Sequence, residues 1–362
     1  MADAAQHIAR EMTRPISRVL TQELTEEQWE SFARNGFLHL GRVLDDESIA
    51  RLTQRADDLA LGRIVNEKIE MQLDTGGAYL ELPDAVSAFE TGTHLYRKIQ
   101  GLEFDAEFLP LIEHPRFVEA CARMYGPHVA LSLFRAMVMN KPAGQGTVLP
   151  WHQDGGDVWG IDREPLVTIW TALDPATEAN GAMQAVRGSH RLGLLTNYGS
   201  TLSDEDARKH CAPENIVTLE VPAGHAVLMH NWLIHRSGIN PSPVPRRAVT
   251  ICYLDGRTRW TENGQLLNIV AGSVEASPTP YVQRLLDESA GLRTWALTSE
   301  NYALDLQNER DILKLRLSEQ AEALSLARSA QVEASTPVSR GLVRRGLRRA
   351  RRILRLIPSR RA

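Results

Sequence analysis

The stretch LPWHQD places His152 and Asp154 two residues apart. On a strand, side chains at that spacing leave the same face, so an imidazole and a carboxylate can reach one ion. A third donor has to come from elsewhere in the chain. HNWLIHRSGIN offers His235 at the end of another strand. His230 is its rival, but the residues after it, NWL, lack the Ser-Gly-x-Asn context that follows His235. Two imidazoles and a carboxylate on one face of an octahedron leave three positions open, which suits Fe(II) with a chelating co-substrate and O2. Zinc can use the same donors, more usually in a tetrahedral site beside a carboxylate base. Taken alone, H-x-D is a weak motif, and a loop histidine beside a turn aspartate reads the same way.

A dianionic co-substrate such as 2-oxoglutarate also needs a fixed cation, and the planar fork of arginine pairs bidentately with a carboxylate. Arg246 stands eleven residues after His235, across the loop SGINPSPVP, a spacing that can return the next strand to the side of the metal. Ser237 can add a hydroxyl to the same carboxylate. Arg247 competes for this role, since alternation puts Val249 and Ile251 on its own face, and pattern alone leaves the choice open.

These residues need strands to hold them, and the sequence supplies strand signals from about residue 129. Val129–Met139 and Leu166–Leu173 are apolar runs, the first stopped by Lys141-Pro142-Ala143-Gly144, the second by Asp174-Pro175. Ile216–Val221 alternates, Ala226–Met229 follows a Pro-Ala-Gly turn, and Arg247–Leu254 follows a proline-rich loop. Short strands between Gly/Pro turns predict an all-β sandwich or barrel. Helices flank it. In LTEEQWESFARNGFLHL, Thr25 and Gln28 form a capping box, Trp29, Phe32 and Ala33 recur at helical spacing, and Gly36 suits the C-terminal cap, with a short strand over Phe37–Leu40. Asp45 or Asp46 starts a second helix through Ile49, Leu52 and Leu59, and HPRFVEACARMYG predicts a third, closed by Gly126.

Composition sets the outer bounds. The 362 residues are 43% hydrophobic and 24% charged, as in ordinary globular proteins. Three scattered cysteines, Cys121, Cys211 and Cys252, show no metal or disulfide spacing and point to a reducing, cytoplasmic setting. The first residues carry charges throughout, unlike a secretory signal, and no apolar run approaches membrane-spanning length. The net charge of −4 conceals an asymmetry: residues 338–362 hold ten arginines and no Asp, Glu or Lys, so the rest of the chain is strongly acidic. That balance argues against a nucleic-acid-binding core. In the tail, Val343, Leu347, Ala350, Leu354 and Ile357 form a helical stripe opposed by arginines, the pattern of a helix lying on an anionic membrane surface; a disordered basic tail fits equally. Before it, Leu306, Leu313, Leu317 and Leu324 fit part of a heptad seam that Arg310 and Gln320 interrupt, a weak coiled coil at best.

Three ordered pieces, MVMNKPAGQGTVLPWHQD, VTIWTALDPATEANGAMQAVRGSH and HRSGINPSPVPRRA, carry a more specific signal. With them the sequence resembles the phytanoyl-CoA dioxygenase family, a branch of the Fe(II)/2-oxoglutarate oxygenases, from LTEEQWESFARNGFLHLGRVLDDESI to about Asp255. The resemblance implies a double-stranded β-helix (jelly roll, cupin-like) with iron at its open end. It implies His152, Asp154 and His235 as iron ligands, and Arg246, Ser237 and Trp170 around 2-oxoglutarate. Met137 matches a pocket methionine fifteen residues before the first ligand, and Lys98, in HLYRKIQGL, matches an upstream lysine that reaches the co-substrate. Arg246 rather than Arg247 follows from the family spacing. Two positions depart from the pattern: Arg236 stands where the family often has Gly after the second histidine, and His225 where Asp often follows the turn glycine. Arg236 puts a bulky cation near the site mouth. Related halogenases have a small residue at the carboxylate position, so Asp154 favours hydroxylation or desaturation.

The expected organisation is a mainly β dioxygenase domain over 1–290 with a jelly-roll core at about 129–256, a helical or weakly coiled extension over 291–334, and the arginine-rich tail over 335–362. His190, His225 and His230 read as packed or surface histidines, Lys141 as a solvated or framework lysine, and Asp157 and Trp159 as either substrate-facing or loop residues. The function this points to is oxidation of a small molecule, or of a lipid- or glycan-linked metabolite if the tail meets a membrane. A non-catalytic jelly-roll scaffold and a zinc hydrolase are the alternatives.

Overall fold

A computed structural model describes residues 23–272, apart from 77, 78, 80–82, 128 and 197–200. The extension expected at 291–334 and the tail at 335–362 lie outside the described residues.

Helix α1 (Glu26–Asn35) begins at the expected capping box: Thr25 Oγ1 accepts from the Gln28 amide at 3.2 Å and Gln28 Oε1 from the Thr25 amide at 2.8 Å. Gly36 ends it at φ 82°, and a Cβ there would lie 2.5 Å from His190 Nδ1. β1 (Phe37–Arg42) follows, then α2 (Asp46–Ala60), with Asp45 as its cap. Next come β2 (Glu70–Leu73), β3 (Val86–Ser87), β4 (Tyr96–Gln100) and α3 (Pro115–Tyr125). The remaining strands are β5 (Leu131–Lys141), β6 (Leu149–His152), β7 (Val167–Ala172), β8 (Met183–Val186), β9 (Ile216–Leu219), β10 (His225–His230), β11 (His235–Ser237), β12 (Arg246–Asp255) and β13 (Ile269–Ala271).

The strands form two antiparallel sheets. The larger runs β1-β10-β7-β12-β5-β4-β2-β3, with β13 also on β5; the smaller runs β6-β11-β8-β9. Trp170, Val227, Met229 and Ala248 of the larger sheet share a core with Met183, Ala185 and Leu219 of the smaller. Each fully buried valine, leucine or methionine among them contributes about 1.5–3 kcal/mol. β7 is buried at every position, because α3 covers the face turned away from this core. That accounts for its lack of inside-outside alternation, with Thr168 and Thr171 buried along with the apolar residues. The fold is the expected mainly β jelly roll.

Several boundaries differ from expectation. β5 runs to Lys141, so this lysine closes a strand instead of opening a turn. β6 stops at His152, leaving Asp154 in the bend beyond it, and His235 opens β11 rather than ending a strand. β4 had no sequence signal: in YRKIQ the buried residues are Tyr96 and Ile99, three apart, so the strand shows neither alternation nor an apolar run.

Candidate active site

The two sheets place the expected donors in contact across short pairings. β11 lies beside β6 with His235 opposite His152, and their ring centroids are 4.0 Å apart. Asp154 is carried to them past the strand end by its backbone, whose amide donates to the Asn231 carbonyl at 2.9 Å. The carboxylate oxygens then stand 4.0 Å from His152 Nε2 and 4.0 Å from His235 Nε2. One donor atom from each of the three residues lies within 4.8 Å of the others, the spacing of a set that can close on one ion.

The hydrogen bonds around the rings decide which nitrogen is free. His152 Nδ1 donates to the Pro150 carbonyl at 2.9 Å and His235 Nδ1 to the Leu233 carbonyl at 2.8 Å. Each ring thereby presents the Nε2 lone pair to the centre, the arrangement metal-bound histidines adopt. Burial, reinforced by His235, pushes the His152 pKa down to about 3, so its ring is neutral at neutral pH. Burial alone would raise Asp154, but His235, His152, Arg135 and Arg97 outweigh it and hold the carboxylate below its ordinary value. Two imidazole nitrogens and one carboxylate suit iron(II).

Gln153, between the two donors, holds the bend in place. It is buried; Nε2 donates to the carbonyls of Trp232 at 2.7 Å and Gly193 at 2.9 Å, and Oε1 accepts from the Leu195 amide at 2.8 Å. One side chain thus ties the bend that carries Asp154 to the turn that precedes His235. Sequence reading passed over it, since a glutamine between two ligands carries no pattern of its own.

A cavity of about 140 Å³ opens beside the triad, and every expected site residue lines it: His152, Asp154, His235, Arg246, Ser237, Trp170, Met137 and Lys98. Strand register accounts for this. Thr250 pairs with Met137 on one side and Trp170 on the other, Lys98 pairs with Met139, and Arg246 pairs with Lys141. The loop of residues 238–245, which joins β11 to Arg246, is folded back by Asn240, which is fully buried. Its Nδ2 donates to the carbonyls of Lys141 at 3.0 Å and Val244 at 2.7 Å.

The structure resolves the choice between the two arginines. Arg247 Nε and Nη2 bond Asp174 at 2.8 and 3.1 Å, and Nη1 bonds Asp57 at 2.8 Å. Arg246 is 4% exposed, its guanidinium lies 5.6 Å from the Trp170 ring centroid, and it makes no hydrogen bond or ion pair among the described residues. Burial pulls its pKa down to about 10, so it stays a cation at neutral pH. A buried cation with no partner, in a cavity shared with a metal-ligand set, fits the carboxylate of a dianion.

Of the other residues considered, His190 and His230 pack against each other with ring centroids 5.2 Å apart and planes tilted by 43°, outside the residues that form the triad. His190 Nε2 contacts the Ala33 carbonyl at 3.1 Å, and His230 Nδ1 accepts from the Trp232 amide at 3.0 Å, so both are framework groups. Lys141 is buried and donates to the Thr147 carbonyl, making it a framework residue and not a solvated one. Asp157 is exposed, whereas Trp159 is buried and stacked on Phe134 at 4.2 Å. Arg236 lines the cavity with its guanidinium 4.4 Å from the Trp151 ring centroid and Nε donating to Gln184 at 2.8 Å. Sequence reading missed Arg97, Arg135, Tyr79 and the methionines Met139, Met183 and Met229, which also line it.

Residues 32–248 match the family model described as phytanoyl-CoA dioxygenase (PhyH). The chain belongs to this family. Among its relatives it is 26% identical to the L-proline trans-4-hydroxylase of Streptomyces griseoviridis, over 61% of this chain and 83% of that protein. It is 25% identical to the probable phytanoyl-CoA dioxygenase of Caenorhabditis elegans and to the ectoine dioxygenase of Bordetella parapertussis, each over 64% of this chain and 75% of the relative. The solved structure of SnoK, a non-heme alpha-ketoglutarate-dependent carbocyclase from nogalamycin biosynthesis, superposes with a TM-score of 0.53 at 17% identity, over 71% of this chain and 98% of that one. Apo EctD from S. alaskensis does so at 0.50 and 17%, over 73% and 91%. Like other phytanoyl-CoA dioxygenase family members, this protein is an Fe(II)/2-oxoglutarate-dependent oxygenase.

Proposed function

We propose that this oxygenase hydroxylates a small-molecule metabolite, with His152, Asp154 and His235 holding the iron and Arg246, Ser237, Trp170, Met137 and Lys98 enclosing 2-oxoglutarate. The observation that carries the reading is Arg246: a buried, charged, unpartnered fork in the same cavity as three converging metal donors. Bound iron supplies the activation of O2, with oxidative decarboxylation of 2-oxoglutarate to succinate and CO2 providing the electrons.

The chain's own residues bind, orient and exclude water. Arg246 takes the distal carboxylate of 2-oxoglutarate and Ser237, also buried, adds a hydroxyl. Trp170 walls the arginine, and Met137 supplies an adaptable apolar surface for the carbon chain. The Nδ1 bonds to the carbonyls of Pro150 and Leu233 keep each imidazole aimed at the metal through the cycle. A carboxylate at position 154 supports oxygen transfer to carbon, and the L-proline trans-4-hydroxylase among the relatives supports the same outcome. A lipid- or glycan-linked substrate is the variant favoured by the arginine-rich tail. It loses its basis if deleting residues 338–362 leaves the share of protein sedimenting with membranes unchanged.

The test is succinate formation from 2-oxoglutarate by protein loaded with Fe(II) without oxygen and then exposed to O2. Iron-dependent succinate from the wild type, absent in Asp154→Ala, is the expected result. Loss of both 2-oxoglutarate binding and succinate formation in a folded, iron-loaded wild type would overturn the reading.

A further inference from the structure

The cavity holds more positive charge than its co-substrate can use. Among the described residues, Arg97, Lys98, Arg135, Lys141, Arg236 and Arg246 line it, against the single carboxylate of Asp154. Iron(II) and 2-oxoglutarate cancel each other's formal charge, so loading the site leaves that excess in place. Lys141 donates to a backbone carbonyl and Arg236 to Gln184, and Arg246 and Lys98 belong to the co-substrate reading. Arg135 and Arg97 remain unassigned.

Arg135 is packed against two aromatic rings at the metal end of the cavity. Its guanidinium lies 4.6 Å from the Trp159 ring centroid and 5.2 Å from that of Phe134, rings that are themselves stacked. Contact with the aromatic pair restricts the side chain and reduces what ordering it on binding would cost. Its Nε is buried with no hydrogen-bond partner, and among the described residues its one ion contact is Asp154 Oδ1 at 3.7 Å, too long for a hydrogen bond. Once Asp154 engages the metal, even that partner is shared. Arg97 stands behind, its Nη1 fixed to Gln72 at 2.8 Å and its guanidinium 5.1 Å from the Tyr79 ring centroid. The mutual repulsion of these cations is visible at Lys98, whose pKa is brought down to about 8 by burial first and then by Arg135 and Arg97.

The position along β5 separates this pair from the co-substrate anchor. Arg135, Met137, Met139 and Lys141 all face the cavity, with Lys141 opposite Arg246. Six residues of strand put roughly 20 Å between the α-carbons of Arg135 and Lys141. One end of the strand therefore serves Arg246 and the other the metal, with methionines between.

We propose that Arg135, backed by Arg97, anchors an anionic group of the primary substrate, a carboxylate or a phosphate, beside the metal triad. The substrate class is then a small anionic metabolite, held by its charge so that a nearby C–H bond faces the iron. This rests on the oxygenase reading above, and the test keeps the two separable.

The full-length protein is loaded with Fe(II) and saturating 2-oxoglutarate without oxygen, and loading is followed by the visible iron-to-2-oxoglutarate charge-transfer absorption. Butyrate, butyl phosphate and the neutral butanol are then titrated in, read by the change in that absorption and in tryptophan fluorescence. At least one anion is expected to bind about 10-fold or more tightly than butanol, and the tighter of the two names the anionic group. Arg135→Gln abolishes the preference, Arg135→Lys retains part of it, and the 2-oxoglutarate affinity of both falls by less than about 10-fold. An equal response to anions and butanol overturns the proposal, as does a preference that survives in Arg135→Gln. A loss of more than about 10-fold in 2-oxoglutarate affinity in Arg135→Gln also overturns it, by assigning Arg135 to the co-substrate. Should the wild type develop no charge-transfer absorption at all, the oxygenase site itself is misassigned, an outcome distinct from these.

Discussion

The two faces of β12 begin with the same residue type and use it in opposite ways. Arg247, on the outer face, is fastened by three hydrogen bonds to Asp174 and Asp57, and so links β12 to α2 and to the end of β7. Arg246, on the inner face, is buried with no such bond among the described residues. Taking a cation out of water costs several kcal/mol, and a fold recovers this only by supplying an anion. On the outer face the protein supplies it. On the inner face it does not, and the uncompensated charge marks where an anion from solution belongs. Burial by itself says nothing about function; burial together with the partner list does.

The comparison breaks most visibly at Arg246. Replacing it with alanine is expected to weaken 2-oxoglutarate binding by roughly 2–5 kcal/mol, measured by calorimetry on oxygen-free, iron-loaded protein. The melting temperature should hold or rise, because an unpaired buried cation is removed. A variant that keeps its 2-oxoglutarate affinity would mean the inner-face charge serves something else.

Arg247→Ala should do the reverse. Stripping Asp174 and Asp57 of their partner is expected to cost about 1–3 kcal/mol of stability, a drop of roughly 2–4 °C per kcal/mol for a domain of this size. Affinity for 2-oxoglutarate should stay within about 2-fold. Thermal melts beside calorimetry decide it, and a large loss of affinity with unchanged stability would sink the outer-face assignment.

The smallest effect sharpens the inner face further. Lys98 has its pKa lowered to about 8, by burial and then by Arg135 and Arg97. If its ammonium meets the co-substrate, 2-oxoglutarate binds the protonated form, so affinity is level below about pH 8 and falls as pH rises above it. The slope is at most about 10-fold per pH unit for a single proton. In Lys98→Met that slope should vanish; a slope that persists assigns it to another group. The linked effect on stability has the opposite sign. A lysine whose folded pKa lies below its unfolded value destabilises the charged form, so the unliganded protein gains stability as pH rises through about 8.

Much of the site was legible in the sequence because its signals are local. His152 and Asp154 sit in one short motif, His235 and Ser237 in another, and the proline-rich loop sets the distance to Arg246. All of them line the one cavity described. What escaped was the supporting cast. Lys98 was placed by resemblance alone, since β4 has too few apolar residues to announce a strand. Arg135 appeared as one more residue in an apolar run, and Gln153 as the filler between two ligands. The same-face argument for His152 and Asp154 does not describe how they meet: Asp154 lies beyond the strand and is held by Asn231 and Gln153.

The sequence by itself determined the helix caps, the apolar strands of the larger sheet, the donor set and the loop between His235 and Arg246. Each depends on residues close along the chain, through capping bonds, alternation or turn chemistry. Only the tertiary structure decided which of two adjacent arginines is free, that Lys141 is buried, and that Arg135 stands beside Asp154. Those outcomes are set by register between strands far apart in sequence, such as Arg246 opposite Lys141 and Lys98 opposite Met139. Register follows from the packing of whole faces, and whether a charge finds a partner depends on what packing brings to it.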